Sequence, residues 1–147
     1  MPRTLVNDTS SVSMTNLEYT ELMRMIYRAG WRPEGTVAPE GWRPKRRKDG
    51  TVRKWPRMNY FSRMGQSVTE SDAQAMADVA ESVLPDIPDF DALGHKIYQT
   101  IDMPDRAPIR FPRPGSKYNS FEFFSGESRK IVERFVHLTR TGSFQIQ

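Results

Sequence analysis

TESDAQAMADVAESVLP, residues 69–85, carries a helix start, an apolar face and a helix stop in one continuous run. Thr69 followed by Glu70, Ser71 and Asp72 is a capping-box-like opening, with two acids in the first turn where they favour the helix dipole. Ala73, Met76, Ala77, Ala80, Val83 and Leu84 then recur at helical spacing. Pro85 closes the run, because proline offers no N–H and its ring clashes with the preceding turn. The spacing predicts a helix over 70–84 whose small alanines let a neighbouring element approach closely.

Towards the C-terminus, Ile131, Phe135 and Leu138 form a second helical stripe reinforced by Val132 and Val136, with Ser125 as its cap and Gly142 as its stop. Ser143–Gln147 alternates, with Phe144 and Ile146 on one side, and predicts a strand. Lys117–Phe124 also reads as a strand. Strand, helix and strand permit a right-handed βαβ crossover, or two short strands lying antiparallel across other elements. Between the two helices, Pro85–Pro88 is a rigid connector and Asp89 is placed as the cap of a shorter helix through Leu93 to about Thr100, which Gly94 weakens. From Asp102 to Lys117, four prolines with Arg106, Arg110, Arg113 and Lys117 predict a surface connection without regular structure.

Towards the N-terminus, Tyr19, Leu22, Met23 and Ile26 predict a helix over 16–29, capped by Thr15 or Asn16 and ended by Gly30. Gly30-Trp31-Arg32-Pro33-Glu34-Gly35-Thr36 is turn chemistry around one large aromatic, which anchors the loop to the core. Residues 1–14, rich in Ser, Thr and Asn, read as a flexible tail. The expectation is therefore a tail over 1–14 and one α+β domain over 15–147, with three to four helices, a small sheet and a protruding basic hairpin arm over 42–57.

That arm dominates the charge. Eight of the 22 Lys and Arg residues and one of the 18 Asp and Glu residues lie between Trp42 and Arg57, a net +7, while the remaining 14 basic and 17 acidic residues leave the body at −3. The eight are Arg43, Lys45, Arg46, Arg47, Lys48, Arg53, Lys54 and Arg57, flanked by Trp42 and Trp55. Cations concentrated on one segment of an otherwise slightly acidic body are the layout that docks onto a polyanion or an acidic protein face. Arginine forks bind phosphate bidentately, lysines add point charges, and tryptophans stack on unpaired bases when exposed or anchor the loop when buried. Asp49-Gly50 at the centre predicts a type I′ hairpin turn, and Pro44 and Pro56 limit strand pairing to about four residues a side.

Catalytic chemistry is sparse. The chain has no cysteine, which removes disulfides and thiolate metal sites, and only two histidines. His137 follows Glu133 by one helical turn, a spacing for proton transfer but more often a surface pair; His95 lies beside Lys96. Asp86, Asp89 and Asp91 lack the glycine and distal glutamate of a calcium loop, and neither GxGxxG nor GxxxxGK[ST] occurs. No cofactor is expected, the apolar runs are too short for a membrane span, and a cytoplasmic location is expected. The partner expected from composition is nucleic acid, DNA or RNA, or else an acidic protein surface.

Gly30-Trp31-Arg32-Pro33 with Gly35-Thr36, Gly65-Gln66-Ser67-Val68-Thr69 leading into Asp72-Ala73 and Ala77, Asp86-Ile87-Pro88, Phe124-Ser125-Gly126 and the ending Gly142-Ser143-Phe144-Gln145-Ile146 together resemble a loose group of small bacterial proteins of uncharacterised function. The resemblance implies a compact α+β body and no activity. The basic arm is not a feature of that group.

Overall fold

The helix predicted over 70–84 forms as α2, Glu70–Val83, in the computed structural model, which describes residues 2–92, 98–112 and 119–147, with backbone alone for 98–100 and 110–112. The Thr69 hydroxyl accepts from the Asp72 amide at its start, and Pro85 turns its end into a 3-10 turn over Leu84–Asp86. The first helix, α1, spans Asn16–Arg28. Its N-cap is Thr15, in a reciprocal capping box with Glu18.

The first fourteen residues are not a tail. Arg3–Val6 forms β1 and Ser11–Met14 forms β2, an antiparallel hairpin in which Leu5 faces Val12 and Arg3 faces Met14. The Asn7 carboxamide oxygen accepts from the amides of Thr9 and Ser10 and closes the turn. Composition hides this because each strand holds few apolar residues. What offsets the ordering entropy is burial of Leu5, Val12 and Met14 and pairing of β1 with the far end of the chain.

β3 (Thr36–Val37), β4 (Gln66–Val68) and β7 (Phe144–Ile146) complete a five-stranded sheet in the order β2-β1-β7-β4-β3, every pair antiparallel. One face buries Leu5, Val12, Met14, Val68, Phe144 and Ile146, while Thr4, Ser11, Ser13, Ser67 and Gln145 alternate on the other. The predicted C-terminal helix forms as α4, Arg129–Arg140, and it packs on α2 and β2. Close approach of α2 and α4 is what Ala73, Ala77 and Ala80, all fully buried, allow. α1, α2, α4 and the sheet's apolar face close one core.

Three other expectations are corrected. Ser120–Phe123 is a short helix, α3, capped by Asn119 in a box with Glu122, so the expected strand does not run into α4 and the expected βαβ crossover does not form. Buried Phe123 and Phe124 pack from that helical turn edge to face, which an extended run would prevent by sending them to opposite sides. Ser125 caps no α-helix; its hydroxyl donates to the Glu122 carbonyl. Residues expected to be irregular form a hairpin of β5 (Tyr98–Met103) and β6 (Arg106–Pro112), in which cross-strand pairing tolerates the prolines of a two-stranded ribbon. Of the helix expected from Asp89 to about Thr100, residues 89–92 are not helical and 98–100 belong to β5, while residues 93–97, with His95, lie outside the described residues, as do Arg113 and Lys117.

Because Leu5 is fully buried in the middle of the sheet, Leu5→Ala is expected to cost about 3 kcal/mol of stability by urea denaturation. A loss under about 0.5 kcal/mol would be the signature of a mobile tail.

Candidate nucleic-acid interface

The arm is the excursion between β3 and β4, and its two ends are tied by a buried polar network. Asp72, fully buried on the first turn of α2, accepts from Trp31 Nε1 at 2.8 Å through Oδ1 and from the Tyr60 hydroxyl at 2.5 Å through Oδ2. The same Tyr60 oxygen accepts from the Gly35 amide at 2.8 Å. The Tyr60 carbonyl in turn accepts from the Tyr19 hydroxyl on α1 at 2.6 Å. Trp31 thus anchors its loop as its place between turn residues predicts.

The root of the arm is stapled strand to strand. The Thr36 amide donates to the Arg57 carbonyl at 2.6 Å, and the Trp55 indole donates to the Thr36 hydroxyl at 3.2 Å. Arg57 Nη2 donates to the Glu34 carbonyl at 2.7 Å. Gly35, at φ +115°, lies so close to Arg57 that a Cβ there would stand 3.1 Å from Nε and 3.3 Å from the carbonyl oxygen. On the exit side, buried Gln66 donates to the Asn59 and Ser62 carbonyls and accepts from the Met64 amide, shaping the turn that leads into β4.

Beyond this root the arm reaches into solvent. One antiparallel bridge, Arg46 with Val52, is flanked by Arg47 N–H to Thr51 O at 2.7 Å and Arg53 N–H to Lys45 O at 3.0 Å. Pairing is therefore shorter than the four residues a side expected. The turn is not type I′ either, because only Gly50 takes positive φ and its amide closes onto the Arg47 carbonyl. Asp49 spends its carboxylate on the Thr51 hydroxyl and amide, at 2.7 and 3.0 Å, and these bonds hold its carboxyl below the usual aspartate range.

All eight arm cations are exposed, and among the described residues none forms an ion pair. The contrast lies elsewhere on the surface. Arg140 bridges Asp78 and Glu81 of α2 at 2.6 Å each, Arg129 pairs with Glu133, and Lys130 pairs with Glu127. Seven arm cations keep their charged groups clear, while Arg57 turns back onto the root.

Trp42 and Trp55 are half-buried and meet edge to face, with centroids 5.4 Å apart. With Arg43, Lys45, Arg53, Pro56, Asn59 and Met64 they line a cleft of about 210 Å³ at the root of the arm. Sequence reasoning names the tryptophans and cations of this cleft but not Asn59 or Met64, whose approach depends on the Gln66 turn. Beside it lies a larger apolar groove of about 430 Å³, walled by Met23, Tyr27, Trp31, Met58 and Phe61. Tyr27, Met58 and Phe61 are each more than half exposed there.

The remaining candidates are not drawn together. Glu133 gives its carboxylate to Arg129, leaving His137 exposed on α4 without a hydrogen bond to it. Among the described residues no three His, Asp or Glu side chains cluster as metal ligands, and no helix is long and apolar enough to cross a membrane. Comparison with protein-family models, curated proteins and solved structures finds no match.

Burial pushes the Asp72 carboxyl above its usual range, against the pull of its Tyr60 and Trp31 donors. Burial and the same carboxylate push the Tyr60 phenol up too, so it stays protonated and donates. A carboxyl with a higher pKa in the folded chain contributes most below its unfolded pKa, and that contribution falls as pH rises through the folded value. The stability of the wild type relative to Asp72→Asn is therefore expected to decline as pH rises out of the acid range, measured by urea midpoints across pH. A gap that widens with pH contradicts the assignment. Asp72→Ala, which strands the Trp31 and Tyr60 donors, is expected to cost about 3 kcal/mol at neutral pH.

Proposed function

We propose that this chain is a non-enzymatic accessory protein that binds nucleic acid through the arm, without sequence specificity, with Arg46, Arg47, Arg53 and Lys54 as the principal contacts. The observation that carries the reading is the freedom of the arm's charges. Arg24, Arg129, Lys130 and Arg140 elsewhere on the surface pair with the protein's own carboxylates, whereas among the described residues none of the eight arm cations does, and the arm's one acid is committed to Thr51. A net +7 segment held on a fixed root and left unneutralised releases counterions when it meets phosphates. Phosphate contacts position the ligand and carry no sequence information.

A second reading has its own support. The apolar groove with exposed Tyr27, Met58 and Phe61 suits a protein segment bearing apolar side chains, with the arm beside it meeting acidic residues. An inhibitory, immunity-type or adaptor role belongs to this class. A partner held there stays bound through nuclease treatment and high salt and is released by Phe61→Glu, neither of which applies to a ligand held by the arm.

If about five cations contact phosphate, log affinity falls with log salt at a slope of about −4.5 for duplex DNA and about −3.5 for a single strand. Fluorescence anisotropy with labelled oligonucleotides between about 50 and 200 mM salt reads this slope. Neutralising Arg46, Arg47, Arg53 and Lys54 to Gln together is expected to weaken binding by at least about tenfold and flatten the slope by about 3. Affinity that stays flat with salt, or survives the four substitutions, refutes the reading.

A further inference from the structure

We infer that the cleft at the root of the arm seats one unpaired nucleobase, making single-stranded nucleic acid the arm's ligand; this rests on the reading above and specifies its substrate. A surface that met only the outside of a duplex would need cations and hydrogen-bond donors, since a duplex presents phosphates outward and covers its base faces by stacking. This cleft is instead lined by two indoles and a thioether, Trp42, Trp55 and Met64, together with the cations Arg43, Lys45 and Arg53. Apolar side chains beside cations match a nucleotide, whose flat apolar base is joined to a charged phosphate.

Its size points the same way. At about 210 Å³ the cleft holds a single base ring system and is too small for a base pair. The indole pair adds a directional feature. In the edge-to-face contact between Trp42 and Trp55, one ring covers a face of the other with its edge and keeps its own faces clear of its partner. Asn59 lines the cleft as well, and its Oδ1 already accepts from the Ser62 amide, which leaves Nδ2 as its donor without a hydrogen-bond partner among the described residues.

The cleft is also held in shape before any ligand arrives. Trp55 is pinned by its bond to Thr36, and Asn59 and Met64 lie on the turn organised by buried Gln66. A base therefore enters a formed site, and the arm beyond it takes the flanking phosphates. The Trp42 indole, by contrast, makes no hydrogen bond among the described residues, its backbone amide alone donating to the Pro39 carbonyl, and the ring stands outside the core. It can be replaced without loosening the root, which makes it the residue to test.

The test titrates the full-length protein with oligothymidylate of about twelve nucleotides, within the usual site sizes, with an abasic strand of the same length, and with a duplex. Tryptophan emission and anisotropy are read together, buried Trp31 supplying a constant background. The expected result is quenching by oligothymidylate but not by the abasic strand, and affinity for oligothymidylate about tenfold above that for the abasic strand. Trp42→Ala is expected to remove that difference and Trp42→Phe to keep most of it, with circular dichroism showing the fold intact. Equal binding of the basic and abasic strands, or a Trp42→Ala loss as large on duplex as on oligothymidylate, overturns this inference while leaving the arm as a polyanion binder. Failure of all three nucleic acids removes the parent reading with it.

Discussion

Asp72 accepts two hydrogen bonds in a fully buried position, one from Trp31 and one from Tyr60, and the placement of everything on this side of the molecule follows from them. A buried carboxylate is costly unless its lone pairs are occupied, so the loop carrying Trp31 and the chain returning from the arm at Tyr60 are both drawn to the start of α2. Tyr60 passes the constraint on. Its hydroxyl takes the Gly35 amide, and its carbonyl takes the Tyr19 hydroxyl from α1. The two ends of the arm are thereby fixed to each other and to the core.

A charged segment held on a hydrogen-bonded root differs physically from a charged loop that is free at both ends. The Thr36–Arg57 and Arg57–Glu34 bonds confine the excursion, so fewer degrees of freedom remain to be lost when the arm meets a ligand. The arm's single bridge and one-glycine turn leave its tip adaptable, which suits a partner recognised by charge rather than shape. Its separation from the protein's carboxylates is equally a matter of position. Asp78 and Glu81 on α2 are occupied by Arg140 from α4, and no ion pair among the described residues joins a carboxylate to the arm.

The elements legible in the chain were those whose information is local. Helices over 16–28 and 70–83 declare themselves through caps, apolar spacing and stops, that over 129–140 through its apolar stripe and stop, and Phe144 and Ile146 mark their strand by alternation. What failed was the reading of segments whose stabilising contacts are distant or whose local signals conflict. β1 and β2 look like a polar tail until β7 arrives from the other end of the chain to pair with β1. Aromatic Phe121, Phe123 and Phe124 carry strand propensity, yet the Asn119–Glu122 capping box and the packing of α3 on α1 settle that stretch as a helix.

Of the candidate site, the sequence by itself determined the inventory: which cations, which two tryptophans, and that they lie on one continuous excursion with a glycine turn at its tip. Only the tertiary structure decided that Trp42 and Trp55 meet edge to face, that Asn59 and Met64 complete a cleft with them, and that Arg57 turns back onto the Glu34 carbonyl at the root. The reason is that charge and residue type are properties of the chain at each position, whereas a cleft exists only where separate segments are held at fixed distances. Here that holding is done by Thr36, Tyr60, Gln66 and Asp72, which no local pattern in the chain ties to the arm.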